Sequence, residues 1–69
     1  MAKAVAIVLR QARTDAGMTQ DEVAAKAGID RSYLSDVERG EGAVSLEVFL
    51  GICQAIGVSA SDVLSRIEV

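Results

Sequence analysis

Apolar side chains recur along this chain at the three-and-four spacing of α-helices rather than in strand-like alternation. Val5, Val8, Leu9 and Ala12 mark a first helix over roughly residues 3–15. A second opens at Thr19 and ends near Ala27. The third, roughly 31–39, has a short apolar face of Leu34 and Val37, with Ile29 just ahead of it. Leu46, Phe49, Leu50, Cys53 and Ile56 make the stripe of a fourth helix, roughly 46–56. Val63, Leu64 and Ile67, with Val69 beyond, make a fifth over roughly 60–67. The pattern predicts an all-α, five-helix domain, with no repeat, linker or low-complexity segment.

The polar punctuation agrees. Glycines at 17, 28, 40 and 57 each fall just past a helical run, where a left-handed cap is wanted. Thr19-Gln20-Asp21-Glu22 has the form of a capping box, in which the Thr hydroxyl and the Glu carboxylate each satisfy the other residue's exposed amide. Asp21 and Glu22 also place negative charge where the helix dipole favours it. Asp30, Ser45 and Ser59 are the expected caps of the third, fourth and fifth helices. Only three or four residues around Gly28 join the second helix to the third. So tight a join favours two helices crossing at about 90–120°, a helix-turn-helix. Val23, Ala27, Ile29, Leu34 and Val37 would fill the angle, and Ala24 is small where the helices pass closely.

At 69 residues the chain is read as one domain, 1–69. A domain this small buries only about 60% of its unfolded surface and leans on regular helix packing or a partner chain. One cysteine and no histidine leave no intramolecular disulfide and too few ligands for a zinc site. Cys53 sits in the fourth apolar stripe and reads as core. The run Ala4 to Leu9 is too short for a signal peptide, with Arg10 and Arg13 close behind. No stretch approaches the about 18 apolar residues of a membrane span. A cytoplasmic protein without a membrane partner is expected. There is no nucleophile–base pair and no phosphate loop, so neither an enzyme nor a cofactor is expected. The chain also leaves no room for a separate ligand-sensing domain, and no small-molecule ligand is expected.

With those residues in view, "MTQDEVAAKAGIDRSYLSDVERG" resembles the core of the Cro/C1-type (XRE) helix-turn-helix family, and the likeness runs from Leu9 to Leu64. Within that family, "DRSYLSDVERG" is most similar to controller proteins of restriction-modification systems, which are small acidic dimers. The resemblance implies a lambda-repressor-like fold with its helix-turn-helix at 19–39, and a transcription regulator bound to double-stranded DNA. It makes the third helix the recognition helix, with Arg31, Ser32, Ser35 and Asp36 facing the bases. Arg31 suits guanine O6 and N7, and Asp36 suits cytosine N4 or a pairing with Arg31. Thr19, Gln20, Tyr33 and Arg39 become phosphate contacts, since the free amides of a helix start suit an anion. Arg13 and Glu38 match a structural salt bridge of the family. A homodimer is implied through about 46–69, with Val63, Leu64 and Ile67 in the contact and a palindromic operator as its counterpart. After "ERG", where controller-like chains often carry basic or amide residues, this one has Glu41, Gly42 and Ala43.

Each residue has a plainer reading. Gln20 is also a good helix-start residue, Arg31, Ser32 and Asp36 suit a solvated face, and Tyr33 suits a partly packed ring. The apolar fifth helix would equally close the monomer's own core. The net charge is −3, ten acidic residues against seven basic. Binding depends on the local surface rather than the total. Glu41, Glu47, Asp62 and Glu68 are expected away from the groove face, with Arg31 and Arg39 left for phosphate. A phage-type repressor, an antitoxin, and a helix-turn-helix module that binds protein remain as alternatives.

Overall fold

A computed structural model of the chain describes residues 2–41 and 43–67, without the side chain of Ala2. The parts expected of Gly42 in the loop, and of Glu68 and Val69 at the C-terminus, lie outside the described residues. The elements are α1 (Ala2–Asp15), α2 (Gln20–Ala27), α3 (Arg31–Glu38), α4 (Leu46–Ile56) and α5 (Ala60–Ser65), with no strand among the described residues. None of these helices is long and apolar enough to cross a membrane.

The helix boundaries follow local chemistry. Glu22 N–H donates to the Thr19 hydroxyl at 3.1 Å and Thr19 N–H donates to the Glu22 carboxylate at 2.9 Å, so the capping box is complete. Its backbone and hydroxyl donors hold the Glu22 carboxyl below the usual carboxylate range. Ser45 and Ser59 accept from Val48 N–H and Asp62 N–H, each at 3.1 Å. Asp30 departs from expectation: it occupies the cap position of α3 but makes no side-chain cap bond. Gly28 ends α2 at φ +71°, while Ile29 N–H bonds back to the Ala24 carbonyl at 3.0 Å. That left-handed turn strains any residue with a Cβ. Two ends differ from the sequence reading. Arg39 caps α3 instead of extending it, and α5 stops at Ser65 rather than at 67.

One apolar cluster is drawn from all five helices. Leu9, Val23, Leu34, Ile52, Cys53 and Val63 are its largest fully buried side chains. Burial pushes the Cys53 thiol up, away from the thiolate that redox chemistry needs. The stripe on α4 is corrected. Phe49, Ile52, Cys53 and Ile56 are buried, whereas Leu46 is 69% and Leu50 46% exposed. A helix turns about 100° per residue, so Ile52 shares the inward face with Phe49 and Ile56, while Leu50 falls to its flank. Ala6 joins Val8, Leu9 and Ala12 on the buried face of α1, with Val5 only partly covered. Gly40, at φ +73°, brings the end of α3 against the start of α1. A Cβ there would lie 2.9 Å from Lys3 Cγ and 3.1 Å from Lys3 Cα.

Candidate nucleic-acid interface

The start of α2 is tied to both ends of α3. At the last turn of α3, Glu38 is 9% exposed, the buried charged residue of the core. Arg13 grips it with a fork, Nε to Oε2 at 2.7 Å and Nη2 to Oε1 at 2.9 Å. Arg13 Nη1 also donates to the Met18 carbonyl at 2.9 Å, fixing the turn that enters α2. Hydrogen bonding to Glu38 holds the Arg13 pKa above its already high ordinary value. The salt bridge implied by the family resemblance is thus present in the structure. Gln20 Nε2 adds a third donor to the Glu38 carboxylate, at 3.1 Å. At the first turn of α3, Arg31 Nε lies 3.3 Å from Asp21 Oδ1.

Around this junction the predicted contact residues divide. Arg31 and Ser32 are exposed at the start of α3, and Ser35 and Asp36 are half-buried toward its end. Tyr33 is half-buried and packs against the core. Thr19 is exposed, with its hydroxyl oxygen engaged in the cap. The capping box consumes the amides of Thr19 and Glu22, while those of Gln20 and Asp21 have no protein partner among the described residues. Two outward amides at a positive helix end form an anion-binding arrangement.

The acidic residues sit differently from expectation. Asp36 pairs with Arg39 and not with Arg31. Arg39 also donates to Ser35 Oγ at 2.6 Å and lies 3.4 Å from Glu41 Oε2. Glu41 is therefore beside the end of α3, not away from it. Asp21 does more than serve the helix dipole, since it faces Arg31 across the helix-turn-helix. Sequence spacing gave no signal for either pairing: residues 21 and 31 lie on different helices, and Glu41 lies in a loop. Both exposed arginines of this face thus carry carboxylate partners, in pairs more than half exposed on average, where ion pairing is weak and easily exchanged.

A second part of the surface is apolar. Val5, Val44, Leu46, Phe49 and Leu64 line a shallow depression of about 260 Å³. Leu46 and Leu64 are its exposed members. Val63, expected in an intermolecular contact, is 0% exposed and belongs to the protomer's own core. Ile67 is half-buried against that core and lines a separate depression with Ile7 and Arg66. The sequence reading missed Leu46 as surface, because helical spacing alone does not say which end of a stripe overhangs the core.

Comparison with known proteins agrees with this architecture. The protein-family model described as Helix-turn-helix (HTH_3) matches residues 9–63. An uncharacterized HTH-type transcriptional regulator, y4dJ of Sinorhizobium fredii, is 34% identical over 65 residues, covering 94% of this chain and 84% of its own. The crystal structure of the clp gene regulator ClgR from Corynebacterium glutamicum superposes with a TM-score of 0.90 at 39% identity, over 93% of this chain and 68% of that one. The restriction-modification controller protein C.Esp1396I, solved as a tetramer in complex with its natural 35 base-pair operator, superposes with a TM-score of 0.89. Its identity is 27%, over 96% of this chain and 87% of that chain.

Proposed function

Because the chain belongs to the Cro/C1-type (XRE) helix-turn-helix family, and is a transcription regulator of that type rather than an enzyme, we propose that it reads a palindromic operator as a homodimer. The observation that carries this reading is the α2–α3 junction. It holds the open amides of Gln20 and Asp21 beside the exposed Arg31 and Ser32. In this reading, the start of α2 sits on a phosphate while the first turn of α3 enters the major groove. Arg31 offers its guanidinium to guanine O6 and N7, and Ser32 bonds to a base or a phosphate. Ser35 and Asp36 meet bases further along, Asp36 accepting from cytosine N4. Thr19, Tyr33 and Arg39 complete the backbone contacts with Gln20.

Size supports a second copy. The longest dimension is 31 Å, less than the about 34 Å between half-sites one turn apart. The depression between Leu46 and Leu64, lined also by Val5 and Val44, supplies the contact. Val63 belongs to the protomer's own core and Ile67 to a separate depression, so of the three residues first expected in the contact Leu64 remains. Leu46→Glu with Leu64→Glu should turn a dimer into a folded monomer in sedimentation, and operator affinity should fall with it. A dimer that survives both charges would place the contact elsewhere.

The likeness to C.Esp1396I supports the narrower reading of a restriction-modification controller. A phage-type repressor or an antitoxin would use the same site. One observation favours a different class. Asp21, Asp36 and Glu41 crowd the two arginines, as they would on a module that binds a basic protein. Titration of duplex DNA separates the two. Arg31→Ala should cost about 1–3 kcal/mol of discrimination at one base pair. Asp21→Asn should free Arg31, strengthen binding to random duplex and narrow the gap between cognate and random sequence. Unchanged duplex binding in both variants would support the protein-binding reading.

A further inference from the structure

Glu38 accepts three hydrogen bonds, two from Arg13 and one from Gln20, with its side chain only 4% exposed. The guanidinium fork alone matches the carboxylate in charge and geometry. Gln20 therefore does something besides neutralise it. A glutamine amide is ambivalent: its nitrogen carries two donor hydrogens, while its oxygen only accepts. Against an anionic phosphate only the nitrogen end is useful, and the oxygen end repels. The Glu38 carboxylate can hold only the nitrogen end, because a flipped amide would set two acceptors face to face. One Nε2 hydrogen is used on Glu38, leaving the second directed away from it. No buried side-chain nitrogen or oxygen among the described residues lacks a partner, so the unbonded Gln20 carbonyl oxygen reaches solvent. The half-buried Gln20 side chain thus has its donor end fixed on Glu38 at the start of α2, where the backbone amides of Gln20 and Asp21 are open.

We infer that Glu38 is a positioning residue for DNA as well as a structural ion-pair partner: it presents the second Nε2 hydrogen of Gln20 to the phosphate at the start of α2. The inference rests on the DNA-binding reading above and adds a chain from Arg13 through Glu38 and Gln20 to the phosphate. It makes the core ion pair part of the binding surface.

The test uses the full chain and the duplex recovered from a random pool. In nitrogen-resolved NMR of the free protein, one Gln20 side-chain proton should exchange slowly, and the second should shift when that duplex is added. Affinity supplies the other arm. Gln20→Ala should weaken binding to that duplex about tenfold in the wild-type chain, as loss of a hydrogen bond to a charged group does. Arg13→Met with Glu38→Leu replaces the pair by apolar groups of similar volume, an exchange that is often neutral for stability. In that background Gln20→Ala should weaken binding little further. An equal penalty in both backgrounds, or Gln20 amide signals that the bound duplex leaves unmoved, overturns the inference while the DNA reading stands. Failure of the wild-type chain to bind any duplex overturns both.

Discussion

Glu38→Ala should destabilise the fold by about 3–5 kcal/mol, because it strands the Arg13 guanidinium without its counter-charge. Arg13 keeps only 12% of its side-chain surface, so water cannot substitute for the lost carboxylate. A chain of this size holds roughly 3–10 kcal/mol in total at the usual about 0.05–0.15 kcal/mol per residue. The variant should therefore be largely unfolded at room temperature, or melt far below the parent, as read by far-UV circular dichroism. Retained melting within a few degrees of the parent would mean that the pair is solvated in solution. The contrast with Arg13→Met/Glu38→Leu is informative. Removing one partner leaves a buried charge, whereas removing both leaves none, so the double variant should be the more stable.

Leu34→Ala should cost about 2–5 kcal/mol, the range for a fully buried leucine whose cavity cannot collapse. Leu34 has no exposed surface and packs from α3 into the shared cluster with Val23 of α2 and Leu9 of α1. Its neighbours are held from several elements, which limits relaxation into the space. The midpoint of urea unfolding measures the loss. An effect below 1 kcal/mol would mean that α2 and α3 close over the gap. The same substitution should also weaken DNA binding beyond its effect on folding, because Leu34 sets the angle at which α3 is presented.

Much of the fold could be read from spacing because each helix carries its own punctuation. The Thr19 capping box, the Ser45 and Ser59 caps and the left-handed glycines at 28 and 57 lie where local chemistry demands. The failures are those of tertiary origin. Asp30 has the right type and position for a cap yet makes no cap bond, so α3 is oriented by packing through Leu34 and Val37. Leu46 and Leu50 continue an apolar stripe that the core does not reach. Val63 reads the same as Leu64 in sequence, but one residue of rotation buries the first and leaves the second 47% exposed.

The site shows the same division. The resemblance supplied Arg13 with Glu38, and the structure places them in a fork. The partners of Arg31 and Arg39 depend on how α2 and the α3–α4 loop lie against α3, which no local pattern encodes. Those pairings alter the account of an acidic DNA-binding protein. Asp21, Asp36 and Glu41 pair with Arg31 and Arg39, so in the proposed reading DNA must displace them to reach either arginine. With Arg31 on a base and Arg39 as the phosphate-facing arginine of each protomer, phosphate neutralisation by the proposed dimer is small. The dependence of log affinity on log salt should be about −2 for two neutralised phosphates. Selectivity then rests on base contacts and dimerisation more than on bulk charge.

The central claim is that the α2–α3 junction reads DNA sequence in a paired molecule. Selection of bound duplexes from a random pool, at near-physiological salt, tests it most directly. The account predicts recovery of one palindromic motif with half-sites about 10 base pairs apart, lost on Arg31→Ala. A folded, dimeric protein that enriches no sequence would contradict it.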